Sequence, residues 1–168
     1  LEQRFTVSLT TFNDNVNLHY TSANLEGINK LSKWEYWPSG TTALYDAIGM
    51  TVKRLQKEIG REVNRKQANV VVVIITDGYE NSSVKHNYNS IRDLIKELES
   101  TGNYTFSYLG ATLDAVEIAE SLNIKRKNAM FFDKQSYSRS TEVLNESYKE
   151  MAYMKSKGIS DYTNLLKK

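Results

Sequence analysis

The chain has 168 residues, 40% of them hydrophobic and 25% charged, a composition that fits one globular domain and excludes disordered and fibrous classes. Lys and Arg number 22 against 20 Asp and Glu, so the charge gives no argument for nucleic acid or membrane partners. The absence of cysteine excludes disulfides, thiolate metal sites and a cysteine nucleophile. Since we also find no signal peptide and no spanning apolar run, we expect a cytoplasmic protein.

The chain begins with a predicted antiparallel hairpin. Residues 4–12 alternate apolar and polar side chains, residues 13–15 are typical of a turn, and residues 16–22 follow as the second strand. A short helix is expected at residues 25–31. Residues 34–40 contain the only proline and are expected to form a loop.

Helical and strand patterns alternate through the rest of the sequence. Apolar residues at helical spacing from Leu44 to Ile59 predict a helix that begins at Thr42, followed by a solvated connector at residues 61–67. Val70 to Ile75 is apolar on both faces, as an interior strand of a covered, mostly parallel sheet requires. The elements expected after it are a helix with Ser90 and Asp93 as its cap at 91–98, a strand at 104–109, a helix at 115–122, a strand at 129–132 and a helix at 141–154.

This order of elements predicts an α/β fold. We expect one domain over residues 1–154, with a mostly parallel central sheet and an antiparallel hairpin at its edge, and a polar tail over residues 155–168.

Two loops carry candidate ligand residues. Asp77 directly follows the strand of residues 70–75, at the end where α/β sheets bind ligands. Asp77 and Gly78 can also serve only to turn the chain, with Gly78 at positive φ. Thr42 can likewise be a ligand or only a structural residue, because Thr41 or Thr42 can cap the helix that follows. As a pair, Thr42 and Asp77 supply the hard oxygen ligands that suit Mg²⁺.

Four stretches in this order, FTVSLTTFNDNV, GTTALYDAIG, VVVVIITDGYENSS and YLGATLDAVEIAESLNI, resemble a von Willebrand factor type A (VWA) domain of the bacterial and phage intracellular branch. The resemblance covers residues 4–154. It implies a three-layer, doubly wound, Rossmann-like fold with a metal-ion-dependent adhesion site (MIDAS). In that site Thr42 matches the second-loop threonine and Asp77 the third-loop aspartate. The family metal is usually Mg²⁺, with Mn²⁺ or Ca²⁺ as alternatives, and an Asp or Glu of a partner protein completes its coordination.

The sequence departs from the family in one respect. The Asp-x-Ser-x-Ser motif, and the first strand that precedes it in mid-sheet, do not occur in these residues. We therefore expect the chain to be N-terminally incomplete, with the unfilled strand position leaving unpaired edges and a split core. Strand exchange or dimerisation is the alternative way to fill that position. With only two ligands, metal affinity is expected to be poor unless the missing N-terminal ligands are present.

The resemblance implies a non-enzymatic module that recognises a partner carboxylate through the metal. Two alternatives stay open: a Mg²⁺-dependent phosphohydrolase that uses Asp77, and an interaction scaffold without metal. No Gly-rich phosphate loop precedes a helix, which counts against nucleotide binding.

The remaining polar and aromatic candidates are each expected to be structural or solvated. Residues 80–83 are interpreted as a polar surface loop rather than ligand contacts, and residues 125–127 as a solvated basic turn. Solvation is likewise favoured over a role at the site rim for Ser39 and Thr41, and a structural or solvated role is expected for His19 and His86. Burial against a sheet edge is favoured over an exposed rim for Trp34, Tyr36 and Trp37.

Overall fold

The computed structural model describes residues 4–32, 34–35, 39–133, 137–157 and 166. These residues divide into two compact units. The hairpin unit contains the chain up to residue 68 together with residues 79–91. The parallel-sheet unit contains residues 69–78 and the chain from residue 92 onward.

The hairpin unit begins with the predicted pair of antiparallel strands. β1 spans Thr6–Phe12 and β2 spans Val16–Asn24. The turn between them is closed by Asn13, whose Oδ1 accepts a hydrogen bond from the backbone N–H of Asn15 at 2.8 Å. The hairpin prediction is confirmed, although the second strand continues to Asn24.

The short helix predicted at residues 25–31 is wrong. Only Leu25–Gly27 form a single 3-10 turn, and Ile28 is already extended. This turn has no side-chain cap and no buried residue. Without either support, a segment of this length does not sustain a helix.

Helix α1 spans Leu44–Asn64, so it begins two residues later and ends well after the predicted helix. Its buried face repeats the predicted apolar positions and then continues through Val63, which is 1% exposed. Because Val63 keeps helical spacing with Leu55, the apolar face extends the helix through most of the segment predicted as a connector.

The parallel-sheet unit is built on three parallel strands in the order β3-β4-β5. β3 spans Val70–Thr76, β4 spans Tyr104–Gly110 and β5 spans Ala129–Phe131. The predicted α/β class, with parallel strands and an antiparallel hairpin, is confirmed. The hairpin is predicted at the edge of the parallel sheet, which the strand pairing among the described residues does not show. Among the described residues the hairpin and the parallel strands form two distinct sheets.

β4, rather than β3, is the central strand of the described parallel sheet. Nearly every residue of β4 is buried, whereas Val73 and Ile75 of β3 are 38% and 42% exposed. In the described part of the chain β3 pairs with β4 alone. The prediction that residues 70–75 are covered on both faces is therefore wrong here, because burial of a strand depends on neighbours that its own sequence does not specify.

In the described ranges after β3 the α-helices are α2 (Tyr88–Ser100), α3 (Ala115–Ser121) and α4 (Tyr137–Ser156). α2 begins three residues before the predicted start because Asn87 caps it. Asn87 Oδ1 accepts the Ser90 N–H and Ser90 Oγ accepts the Asn87 N–H, each at 3.0 Å. Ser90 is thus the reciprocal partner of the cap, and the Asp93 carboxylate instead binds the Arg92 guanidinium. Over the ranges described, no helix combines the length and hydropathy needed to cross a membrane.

The apolar core of the parallel-sheet unit joins β4 to the C-terminal part of the chain. Leu109 of β4 is buried together with Phe132, Leu144 of α4 and Leu166. The backbone N–H of Leu166 donates to the carbonyl of Lys127 at 3.3 Å. One residue of the segment predicted as a polar tail therefore contributes to this core.

Two glycines offer a matched test of packing in these elements. A Cβ at Gly110 would lie 2.6 Å from the Ala115 side chain and 2.9 Å from that of Tyr108, whereas a Cβ at Gly60 of α1 would meet no atom within 4 Å. We expect Gly110→Ala to lower the free energy of unfolding by about 1–3 kcal/mol through overpacking. Gly60→Ala should raise it by about 0.5–1 kcal/mol through helix propensity.

Urea unfolding followed by circular dichroism measures both changes. An unchanged midpoint for Gly110→Ala would contradict the close approach of β4 and α3.

Candidate functional site

The loop that carries Thr42 is fixed against the β1–β2 turn. Gly40 has φ +82°, and a Cβ at this position would collide with the Asp14 side chain. Three residues later, the backbone N–H of Ala43 donates to the Asn13 carbonyl at 2.7 Å. Position 40 therefore requires glycine both for its conformation and for the close approach of the turn.

The first N–H groups of α1 are capped from a distant loop. The backbone N–H of Tyr45 donates to Glu80 Oε2 at 2.8 Å, and that of Asp46 donates to Ser83 Oγ at 3.0 Å. These are two of the N–H groups that a helix leaves without an internal partner. Glu80 and Ser83 thus bind N–H groups that a local side-chain cap binds in most helices.

Neither threonine caps α1. The cap position is Ala43, which makes no side-chain cap hydrogen bond. The interpretation of Thr41 or Thr42 as a helix cap is therefore wrong, since the donors in question are taken by Glu80 and Ser83.

Asn81 holds the backbone of Thr42 from both sides. Asn81 Oδ1 accepts the Thr42 N–H at 2.8 Å, and the Asn81 N–H donates to the Thr42 carbonyl at 3.0 Å. Both backbone polar groups of Thr42 are thereby satisfied. The backbone of Thr42 is thus held by a residue 39 positions later in the sequence.

The Glu80 carboxylate also shapes its own loop. Oε1 accepts the N–H groups of Ser82 at 2.9 Å and Ser83 at 2.8 Å, and Oε2 accepts the Ser83 hydroxyl at 2.7 Å. Together with the Tyr45 N–H, this gives the carboxylate four donors. Residues 80–83 form a polar loop, as predicted, in which Asn81 is exposed and the other three are half-buried. The prediction did not include the bonds that join this loop to the start of α1.

Asp46 binds the second half of the same loop. It is only 7% exposed, and its carboxylate accepts the backbone N–H groups of Val84 at 2.9 Å, Lys85 at 2.9 Å and His86 at 2.7 Å. Burial alone would raise the pKa of the Asp46 carboxyl, but these donors and the His86 ring together lower it to about 2. We call residues 80–86 the clip, since Glu80 and Asp46 fasten it at its two ends.

His86 completes the far end of the clip. Its Nδ1 lies 3.1 Å from Asp46 Oδ1, and its Nε2 lies 3.0 Å from the ammonium of Lys53. Because a lysine ammonium only donates, Nε2 is the acceptor and Nδ1–H donates to the carboxylate. A Cβ at Gly49 would come within 2.6 Å of the ring, so glycine lets the ring lie against α1. The structural role expected for His86 is the one that its contacts describe.

Asp77 lies at the carboxyl end of β3, in the parallel-sheet unit, and is exposed. The turn that follows it is closed by Thr76, whose Oγ1 accepts the Gly78 N–H at 3.3 Å and donates to the Gly78 carbonyl at 3.2 Å. Among the described glycines, Gly40 and Gly102 have positive φ and Gly78 does not. The expectation that Gly78 turns the chain at positive φ is therefore wrong.

Trp34 is 92% exposed, so the expectation that it is buried against a sheet edge is wrong. Tyr36 and Trp37 lie outside the described residues. His19 Nε2 lies 2.7 Å from Thr11 Oγ1 across the hairpin, a structural contact as expected.

The other minor candidates are solvated or paired with acids. Ser39 and Thr41 are exposed, as expected for a solvated loop. In the basic turn, the ammonium of Lys125 lies 4.0 Å from a Glu99 carboxylate oxygen. The Arg126 guanidinium lies 2.9 Å from a Glu120 carboxylate oxygen.

The candidate metal ligands have the type of donor atom that a hard cation prefers, but they are too few to hold one. Thr42 and Asp77 supply hydroxyl and carboxylate oxygens, the donors that Mg²⁺ prefers. Within the described ranges, however, no three His, Cys, Asp or Glu side chains cluster in a way that could hold a metal ion. A six-coordinate cation would need most of its ligands from elsewhere.

Asp46, Glu80 and Asn81 organise the Thr42 loop, a role that the sequence pattern does not predict. A signal for Asp46 does exist, since Asp46, Gly49 and Lys53 share one face of α1 at spacings of three and four residues. A glycine on such a face indicates close approach of another group. No comparable local signal identifies Glu80 and Asn81, whose partners are 35 and 39 residues away.

A family model described as von Willebrand factor type A domain matches residues 2–147. No curated protein and no solved structure matches the chain.

Replacing Asp46 by Asn tests the fastening of the clip. The substitution keeps the side-chain size but removes the charge and turns an NH₂ toward backbone donors. We expect Asp46→Asn to lower the free energy of unfolding at neutral pH by about 1–3 kcal/mol. Because folding lowers the Asp46 pKa from 3.8 to about 2, its ionised form stabilises the fold above pH 3.8, and this contribution is lost as the pH falls toward 2.

Urea titrations at several pH values measure the difference in the free energy of unfolding between wild type and Asp46→Asn. This difference should become smaller as the pH falls below about 4. Asp93→Asn, at an exposed carboxylate on α2, is the matched control and should change stability by less than about 0.5 kcal/mol. A difference for Asp46→Asn that is the same at every pH would contradict the role of the carboxylate charge.

Proposed function

Because the chain belongs to the von Willebrand factor type A family, we propose that it is a non-enzymatic module that binds a partner protein through a divalent cation. Domains of this family generally mediate protein interactions, often with a metal site. Thr42 and Asp77 are the cation ligands of this proposal, and the partner contributes an Asp or Glu carboxylate.

The observation that carries the proposal is how α1 begins. A threonine beside a helix start most often has its hydroxyl engaged as the cap. Here the Tyr45 N–H is bound by Glu80 and the Asp46 N–H by Ser83, so the Thr42 hydroxyl does not serve as the cap. At the same time Asn81 fixes both backbone groups of Thr42. A held backbone with a hydroxyl outside the cap supports a ligand role for this side chain.

The charge of the proposed ligand set also supports recognition of an acidic partner. Thr42 is a neutral ligand and Asp77 carries one negative charge, so a divalent cation held by this pair keeps a net positive charge. A carboxylate from another protein would complete both the coordination and the charge balance. When bound, the metal supplies a bridge between the two proteins.

The two ligands leave most coordination positions to water, to the partner and to further ligands outside the described ranges. We therefore expect the chain to bind Mg²⁺ or Mn²⁺ weakly, with a dissociation constant on the order of 1 mM. The cytoplasmic location and the bacterial or phage host stay predictions.

Calorimetric titration of Mn²⁺ into the 168-residue chain tests the ligand assignment. Wild type should bind, and Thr42→Ala or Asp77→Ala should weaken binding by about tenfold or more, since even the loss of a partner that orients a metal ligand costs about 10–100-fold. Thr41→Ala removes the neighbouring exposed hydroxyl and should leave the affinity unchanged, as should Asp93→Asn.

Absence of Mn²⁺ binding by the wild-type chain would contradict the metal part of the proposal and favour a scaffold that works without metal. Phosphatase turnover that is abolished by Asp77→Ala would contradict the non-enzymatic part.

A further inference from the structure

We propose that Glu80 is a positioning residue for Thr42: as a remote cap of α1, it keeps the Thr42 hydroxyl from being drawn into the helix start. The identity of the ligand that uses this hydroxyl, a divalent cation, rests on the function proposed above. In this proposal, loss of Glu80 lets the Thr42 hydroxyl take its place as the cap of α1, a change that we call the exchange of caps. It takes place within the hairpin unit and can be tested with or without metal.

The backbone N–H of Tyr45 can be bound either by Glu80 or by a capping Thr42 hydroxyl. If Thr42 were the cap, Ala43 would be the first helical residue and Tyr45 the third. The N–H of the third helical residue is one of the donors that a cap hydroxyl normally accepts. In the structure this same N–H donates to Glu80 Oε2 at 2.8 Å. Glu80 therefore occupies the donor that would otherwise recruit Thr42.

The Glu80 carboxylate is the stronger of the two acceptors. An ionised acceptor makes stronger hydrogen bonds than a hydroxyl, and a negative charge at a helix N-terminus also gains from the helix dipole. The carboxylate is held in place by the N–H groups of Ser82 and Ser83 and by the Ser83 hydroxyl. With its orientation fixed by these bonds, it remains in reach of α1.

The backbone around Thr42 is held in the conformation that this arrangement needs. Asn81 binds the N–H and the carbonyl of Thr42, and the Ala43 N–H donates to Asn13 on the other side. These bonds keep Thr42 outside the helix, which begins at Leu44. When Glu80 is removed, the Tyr45 N–H loses its acceptor, and α1 can regain a cap by starting one residue earlier on Thr42.

A double-mutant cycle between Glu80→Ala and Thr42→Val tests the exchange of caps without metal. Thr42→Val removes the hydroxyl and keeps the branched shape. In wild type it should leave the urea midpoint unchanged, because the hydroxyl is not the cap. In the Glu80→Ala background it should lower the midpoint, because there the hydroxyl has become the cap.

The same four proteins, titrated with Mn²⁺ alone, test the link to the ligand. Glu80→Ala should weaken Mn²⁺ binding by about tenfold in the presence of the Thr42 hydroxyl, the size of a second-shell effect on a metal ligand. In the Thr42→Val background it should have no further effect. A role of Glu80 in general stability would weaken binding equally in both backgrounds.

Two further variants keep the test decisive. If Glu80→Ala does not fold, Glu80→Gln replaces it, since the amide keeps one carbonyl acceptor and loses the charge. Glu97→Ala, at an exposed glutamate on α2, is the matched control and should leave both measurements unchanged.

Equal effects of Thr42→Val on stability in the two backgrounds would overturn the inference, whatever the metal does. Additive effects on Mn²⁺ affinity would overturn the claim that Glu80 acts on the ligand through Thr42. If wild type binds no Mn²⁺, the proposed function is contradicted but the exchange of caps is not. The urea midpoints of the double-mutant cycle then test the exchange of caps alone.

Discussion

The hairpin unit depends on the hydrogen bonds between the buried Asp46 carboxylate and the clip. A charge with so little exposure is tolerated only when hydrogen bonds replace its lost hydration. Three consecutive N–H groups of the clip and the His86 ring provide that replacement. The clip and the helix start are thereby joined by the strongest class of hydrogen bond that an uncharged backbone can make.

The connection is reciprocal. α1 offers the Asp46 carboxylate to the N–H groups of the clip, and the clip offers the Glu80 carboxylate to an N–H of α1. Each segment thus satisfies donors that the other segment leaves open. Removal of either carboxylate would leave backbone donors without acceptors on the opposite side, so the two ends of the clip support one another. Thr42 is ordered as a consequence, since Asn81 belongs to the same clip.

Features set by local pattern could be predicted from the sequence. The hairpin, the apolar face of α1, the strand at Val70 and the helix from Ala115 follow from alternation, helical spacing and β-branched residues. Thr42 and Asp77 could be named as candidates from their places at a helix start and at a strand end, and their role as metal ligands, which the family resemblance implies, stays a prediction. The pattern could not show that Trp34 is exposed or that β3 lies at a sheet edge among the described strands, because both depend on which segments become neighbours.

The clip also bears on the order of folding. Its contacts with α1 join residues 33 to 40 positions apart, whereas the hairpin and the helix are built from contacts close in sequence. Closing a loop of that length costs chain entropy before any bond is formed, so local elements are favoured to appear first. Thr42 then acquires its conformation late, once the segment after β3 has returned to α1. A nascent chain therefore lacks the bonds that hold this threonine until ribosomal synthesis has passed Asn81.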